Sequence, residues 1–172
     1  TSWLNALQFK VSYGTQGNAS IGNYSSLATV GETTKYNQNA GWVLANAGNP
    51  DLTWETQSKL TIAASARVFD RLSISLEYYK RITEDMLMDV PIPYTTGYSE
   101  VMKNTGTLEN NGVDITLGYD ILKGKDYYLG FNFNFNYNSE KITKLFDGRQ
   151  RWEIANTGVA YIVGKPIMFY YP

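Results

Sequence analysis

The sequence predicts an all-β chain of antiparallel strands, and three observations lead there. Apolar and polar residues alternate with a period of two in five separate runs, which sorts side chains onto two faces of a strand and would scatter them around a helix. Aromatic residues make up 15% of the chain, fourteen of them Tyr, beside fifteen Gly, a balance that favours pleated strands joined by turns. No run approaches the roughly eighteen apolar residues of a transmembrane helix, whereas a transmembrane β-strand needs only about 9–11 residues of alternating pattern.

Taken in order, the first run places Leu7, Phe9, Val11 and Tyr13 on one face and Gln8, Lys10, Ser12 and Gly14 on the other. The second opposes Leu60, Ile62, Ala64, Ala66 and Val68 to Lys59, Thr61, Ala63, Ser65 and Arg67. The third opposes Leu72, Ile74, Leu76 and Tyr78 to Ser73, Ser75, Glu77 and Tyr79. In the fourth, Val113, Ile115, Leu117, Tyr119 and Ile121 alternate with Asp114, Thr116, Gly118 and Asp120. The fifth is the cleanest: Leu129, Phe131, Phe133, Phe135 and Tyr137 against Gly130, Asn132, Asn134, Asn136 and Asn138.

The connections alternate in length. Phe69-Asp70-Arg71 and Lys123-Gly124-Lys125-Asp126 are tight, while the stretches within 15–53, 83–111 and 143–172 are long and rich in polar and aromatic residues. Strands crossing a bilayer give this asymmetry, with short periplasmic turns and long extracellular loops. In a soluble domain, long structureless loops count against the element assignment. Two architectures remain: a transmembrane barrel segment whose apolar face meets lipid, and a secreted β-sandwich whose apolar face meets a second sheet. Tyr78, Tyr79, Tyr119, Tyr127, Tyr128 and Tyr137 stand at run ends, where the interfacial girdle of a barrel lies, and so favour the barrel.

Charge and composition exclude several functions. Fifteen Lys and Arg balance sixteen Asp and Glu, and from that whole-chain balance neither an electrostatic footprint for nucleic acid nor a basic patch for anionic lipid is expected. Cys and His are both absent. With them go disulfides, thiol nucleophiles, the Ser-His pair and the usual zinc ligands. Glu84 with Asp85 and Glu109 with Asp114 are carboxylates without the spacing of a glycosidase pair, and Asp85, Asp89, Asp114 and Asp120 form no calcium-loop run; no enzyme, metal or cofactor is expected. Thr1 opens the sequence without a signal peptide, and Lys165–Pro172 ends it in an aromatic stretch, so an internal piece of a longer polypeptide is expected.

Five motifs, met in order along nearly the whole chain, carry a resemblance. Leu7–Asn18 (LQFKVSYGTQGN) is similar to "LKLRASYGxTGN", and Asn49–Glu55 (NPDLTWE) to "NPDLKWE". Tyr78–Leu87 (YYKRITEDML), followed by Val90-Pro91-Ile92-Pro93, resembles "DYYxKxTxDLL". Asn104–Asp114 (NTGTLENNGVD) resembles "NxGxxxNxGVE". Gly164-Lys165-Pro166-Ile167 resembles the start of "xGxPIGSFYGY", without its Gly-Ser. These are signatures of the SusC/RagA family of TonB-dependent outer-membrane transporters of Bacteroidetes. The resemblance implies about five spans from the later part of a barrel of roughly twenty-two strands, with residues 1–172 as a partial barrel domain and the plug and closing strands elsewhere. It also implies nutrient uptake of glycan or peptide fragments across the outer membrane, with a SusD-like surface lipoprotein and TonB as partners, TonB acting through an N-terminal part. The runner-up remains a secreted β-sandwich that binds glycans.

Two groups of residues are candidates for function. Asn132, Asn134 and Asn136 form an amide ladder suited to the lumen of a barrel, facing a sugar path, a plug or water. Trp42, Tyr94, Tyr98, Trp152 and Tyr161, with Phe169, Tyr170 and Tyr171, lie in the long connections. Their rings suit stacking on sugars, packing against a lipoprotein, or forming small cores within the loops. Trp54-Glu55 is read as an anchor at the start of a span.

Overall fold

The computed structural model describes residues 3–36, 39–154, 158–167 and 169–170. Twelve strands are present among them: β1 (Leu4–Asn18), β2 (Thr29–Tyr36), β3 (Asn39–Asn46), β4 (Glu55–Val68), β5 (Leu72–Glu84), β6 (Leu87–Pro91), β7 (Glu100–Asn104), β8 (Thr107–Lys123), β9 (Tyr128–Lys144), β10 (Arg151–Ile154), β11 (Val159–Ile162) and β12 (Phe169–Tyr170). Five of them form one open antiparallel sheet in the order β1-β4-β5-β8-β9. These are the five alternating runs of the sequence. Each of the long connections carries small strands of its own: the β2/β3 hairpin, the β6/β7 hairpin and the β10-β11-β12 sheet.

Register makes each face of the large sheet chemically uniform. Directly paired residues share a face, so the pairings build rows across all five strands. Leu7–Ala66–Ile74–Leu117–Phe133, Phe9–Ala64–Leu76–Ile115–Phe135 and Val11–Ile62–Tyr78–Val113–Tyr137 form the apolar face. The rows between them are Gln8–Ser65–Ser75–Thr116–Asn134, Lys10–Ala63–Glu77–Asp114–Asn136 and Ser12–Thr61–Tyr79–Gly112–Asn138, and they belong to the opposite, polar face. The apolar face is bare: Phe9 is 73% exposed and Phe135 47%. Among the described residues no second sheet lies across it, so the sandwich arrangement finds no support.

The two tight turns fix that register. Phe69 and Asp70 both have positive φ, 52° and 56°, as the primed hairpin turns require of their central residues. Neither is the usual Gly or Asn. The turn is held from its flank instead: the Phe69 N–H donates to the Trp3 carbonyl at 2.8 Å and the Asp70 N–H to Asn5 Oδ1 at 2.8 Å. Between β8 and β9 the Gly124 N–H donates to the Tyr127 carbonyl at 2.9 Å. A side-chain fit adds to this. The Tyr79 ring lies over Gly112, where a Cβ would stand 2.3 Å from its Cζ, and the Tyr79 hydroxyl reaches Asn138 Oδ1 at 3.3 Å. The glycine of the Asn-Asn-Gly-Val-Asp motif therefore seats the tyrosine of the Tyr-Tyr-Lys motif.

The strands run further than the alternation does. At the end that carries the long connections, β1, β4, β5, β8 and β9 extend past the apolar rows through Thr15–Ser58–Ile82–Glu109–Lys141. Both faces are largely polar there, so the periodic signal fades while the backbone ladder continues. The buried apolar residues described, Met88, Val90, Ile142, Leu145, Phe146 and Ala160, all lie at this loop end, and the sheet has no core of its own.

A hydrogen-bonded latch ties the first long connection to the second. Asn104 Oδ1 accepts from the Thr53 N–H at 2.7 Å, and its Nδ2 donates to the Thr53 carbonyl at 2.7 Å and the Asp85 carbonyl at 3.0 Å. Asn49 Nδ2 donates to the Met102 carbonyl at 2.9 Å, while Asn49 Oδ1 caps the Asp51 N–H at 3.1 Å. Glu55 Oε1 accepts from the Leu87 N–H at 3.2 Å. Glu55 does open β4, as an anchor should, and the Asn-Pro-Asp-Leu-Thr-Trp-Glu segment around it also stitches two loops together.

Two outcomes follow from this geometry. Residues 1–172 expressed alone without detergent should aggregate, because a bare apolar face and unpaired strand edges are exposed together; a monomeric species with a cooperative thermal transition would contradict it. In the full-length parent, Asn104→Ala removes three bonds of about 1 kcal/mol each. Amide exchange at 49–55 should then speed up by about tenfold or more, with exchange at β8 and β9 unchanged. Equal protection of 49–55 in both proteins would show the latch to be idle.

Candidate functional site

The loop end of the sheet builds a cavity on the polar-face side. Leu108 and Ile142 are paired across β8 and β9 in the same facing as Asn132, Asn134 and Asn136, and Ile142 is buried with Met88 and Leu145. Met86, Trp152, Tyr161, Val163 and Ile167 pack on that nucleus. The Gly164–Ile167 motif is laid along the end of β9: the Gly164 N–H donates to the Ile142 carbonyl at 2.7 Å, the Ile142 N–H to the Lys165 carbonyl at 2.9 Å, and the Ile167 N–H to Glu140 Oε1 at 3.2 Å.

The cavity measures about 430 Å³ and is lined by Glu55, Met86, Leu87, Met88, Asp89, Trp152, Ile154, Tyr161 and Ile167. Alternation in β6 turns Met88 and Val90 inward and leaves Asp89 exposed. Trp152 and Tyr161 are direct cross-strand partners on β10 and β11, with ring centroids 5.5 Å apart. Phe146 meets Trp152 edge-on at 5.1 Å, and the Arg149 guanidinium lies 5.0 Å from the Phe146 ring. Glu55 is held in place, since Oε1 takes the Leu87 N–H and Oε2 the Asn18 amide at 3.4 Å. The result is a wall of thioether, aliphatic and aromatic surface with carboxylates at its edge. Such a wall accepts apolar side chains and attracts cationic or amide donors. Among the described residues no group of three or more His, Cys, Asp or Glu side chains is arranged to hold a metal.

The loop aromatics separate into three environments. Trp152 and Tyr161 belong to this cavity. Tyr98 lines a second, more polar groove of about 290 Å³ between the β2/β3 and β6/β7 hairpins, with Ser25, Leu44, Ala45 and Asn46 on one side and Gly97 and Ser99–Met102 on the other. Gly97 has φ 86°, and Leu44 Cδ1 sits 2.6 Å from where its Cβ would be, so the close approach of the hairpins needs a glycine. Trp42 and Tyr94 join neither hollow and stand 69% and 85% exposed. Phe169 and Tyr170 form β12, and Tyr171 lies outside the described residues. Asn132, Asn134 and Asn136 share the polar face but line none of these cavities; the Asn136 amide hydrogen-bonds the Asp114 carboxylate across the pair. Sequence reasoning missed Met86, Met88, Ile154, Ile167 and Glu55 as a lining set. The alternation of Leu87–Pro91 was the one local signal for it.

Comparison with known proteins fits this architecture. The family described as TonB dependent receptor-like, beta-barrel matches residues 1–168. TonB-dependent receptor P39 of Formosa agariphila is 32% identical over 146 residues, covering 84% of this chain and 14% of its own length. TonB-dependent receptor P3 of the same organism is 36% identical over 152 residues, 86% of this chain and 15% of its own. TonB-dependent receptor SusC of Bacteroides thetaiotaomicron is 30% identical over 104 residues, 59% of this chain and 10% of that protein. Among solved structures, the RagAB peptide transporter superposes with a TM-score of 0.86 at 42% identity, covering 97% of this chain and 19% of the matched one. The RagAB peptide importer in its 'open-open' state gives 0.84 at 42% identity, covering 96% and 18%. The chain thus spans about a seventh of the length of the Formosa relatives. The large sheet is a portion of an antiparallel transmembrane barrel, and the chain belongs to the TonB-dependent receptor β-barrel family, among the SusC- and RagA-like proteins of the outer membrane.

Proposed function

We propose that the protein containing this chain is an outer-membrane importer that takes up oligomeric nutrients with a SusD-like lipoprotein and is energised through TonB. The observation that carries the reading is the two-faced sheet. Its apolar rows suit lipid, its polar rows suit a plugged lumen, and its packed core is confined to one end. In this reading Phe131, Phe133 and Phe135 face lipid while Asn132, Asn134 and Asn136 face the lumen. The long connections lie outside the cell, and the cavity hangs over the barrel mouth.

Trp42, Tyr94 and Tyr98 belong, in the same reading, to the surface that meets the lipoprotein. Two of them are left bare by this chain, and large apolar surfaces in water mark interaction sites. The pairing expressed in the name RagAB, at 42% identity, supports a second subunit. Glycan and peptide cargo are both compatible with the family, and the cavity chemistry supports peptide. Phe146 stands nearly perpendicular to Trp152 at 5.1 Å and the Tyr161 ring lies 5.5 Å away on the neighbouring strand, so Trp152 is already engaged by two rings and is a poor platform for a sugar ring. Met86, Met88, Ile154 and Ile167 suit an apolar side chain, and the carboxylates at the rim suit peptide N–H groups or an N-terminal ammonium.

Two experiments test this. In the full-length protein, Phe133→Arg should lose about 2–4 kcal/mol of barrel stability and reduce the heat-modifiable folded band, whereas Asn134→Asp should not; equal tolerance of both would refute the facing. Affinity purification from the native membrane should recover a lipoprotein, and mass spectrometry of the complex should find peptides at the mouth. A barrel recovered alone in mild detergent, importing normally after deletion of neighbouring lipoproteins, would overturn the partnership; bound glycan would overturn the peptide assignment and leave the importer intact.

A further inference from the structure

One charged cluster lies on the apolar side of the sheet, and the cavity does not use it. Lys80 follows Tyr78 on that face of β5 and lies in the row Tyr13–Leu60–Lys80–Asn111–Ser139; Lys141 lies one row further out, opposite Glu109. Glu109 Oε1 accepts from Asn111 Nδ2 at 2.8 Å and has Lys80 Nζ and Lys141 Nζ each at 3.5 Å. Three strands therefore bring two ammonium groups to one carboxylate oxygen, and the two nitrogens can be no further apart than twice that distance. Each side chain keeps substantial access to solvent, 39% for Lys80 and 46% for Lys141, while Glu109 keeps 18%. An ammonium carries three N–H donors, so one shared acceptor leaves most of the donor capacity of the pair unused. The carboxylate cancels one of the two positive charges and holds both in position. Glu84, the acidic residue of this facing on β5, lies further towards the loop end, opposite Thr56.

Position gives the cluster its chemistry. On the reading that the apolar face meets lipid, Tyr13, Tyr78 and Tyr137 mark the outer boundary of the hydrocarbon layer. Lys80 and Lys141 then stand at the depth of the head groups in the outward leaflet, their aliphatic stems along the sheet and their ammonium groups in the polar layer. We propose that Lys80 and Lys141 form a binding site for the phosphate of an anionic membrane lipid, with Glu109 as the resident anion with which that phosphate competes for the two ammonium groups. Bound phosphate would be bridged by one donor from each lysine, and its single negative charge would balance the one positive charge that Glu109 leaves uncancelled.

The test uses the full-length protein in mild detergent, with native mass spectrometry reading lipid adducts against added phosphatidylglycerol, phosphatidylcholine and inorganic phosphate. The wild type should retain phosphatidylglycerol in preference to phosphatidylcholine. The double variant K80Q/K141Q should bind it roughly thirtyfold more weakly, from about one unit of surface attraction per lysine. E109Q should bind it at least as tightly as the wild type, because the two ammonium groups lose their competitor. Heat-modifiable mobility confirms that each variant is a folded barrel. Unchanged phosphatidylglycerol retention in folded K80Q/K141Q, or weakened retention in folded E109Q, would overturn the site. Displacement of the lipid by equimolar inorganic phosphate would reassign it to soluble anions and overturn the lipid proposal. Retention of no lipid of any kind would overturn it through the membrane reading beneath it, which Phe133→Arg tests separately.

Discussion

Strand register is the constraint on which everything else in this chain depends. The large sheet has no interior of its own, so nothing but alignment keeps its two faces distinct. A slip of one residue in any of the four pairings would move a whole strand's apolar set to the polar side. Local devices hold that alignment. The β4–β5 turn takes a backbone form that Phe69 does not favour by itself, and it is stabilised by Trp3 and Asn5 around the start of β1. Tyr79 then keys β5 to β8, because its ring fits only where Gly112 offers no side chain. Motifs that look unrelated in the sequence are thus two halves of one contact.

Much of the sheet was legible in the sequence because alternation is a direct print of facing. Phe131 to Asn136 could be sorted onto opposite sides by reading every second letter. The outer thirds of the strands were not legible for the same physical reason. Beyond Tyr13, Tyr78 and Tyr137 both faces turn largely polar, so Thr15, Ser58, Lys80, Glu109 and Lys141 carry no period although their backbones remain paired. The small hairpins were hidden differently. Thr29–Tyr36 and Asn39–Asn46 are rich in Gly, Asn and Thr, and among the described residues they pair only with each other, in a ladder with two register shifts.

The cavity shows a similar division. Trp152 and Tyr161 could be singled out as aromatic, and the possibility that loop rings build small cores describes their packing against Phe146 and Ile142. What brings Met86 and Met88 beside them is long-range: Ile142 at the end of β9, the Gly164–Ile167 strip bonded to it, and Glu55 holding the Leu87 amide. No local pattern spells that assembly, since its members are drawn from four distant segments. Trp42 and Tyr94 are the opposite case, with surroundings that this chain alone does not fill.

Asn104 has a consequence for how such proteins can diversify. Its amide presents a donor and an acceptor to the backbone of Thr53, much as a neighbouring strand would, and it reads no side chain there. The identity of residue 53 is therefore free to drift, but the path of the chain through 49–55 is not. The first two connections share one hinge of main-chain geometry, so a length change in either is felt by both. New mouths on this scaffold should then arise by exchanging these two connections as a block, and a change in the third, whose Trp152, Tyr161 and Ile167 pack with Met86 and Met88 of the second, must be matched on that side of the shared cavity.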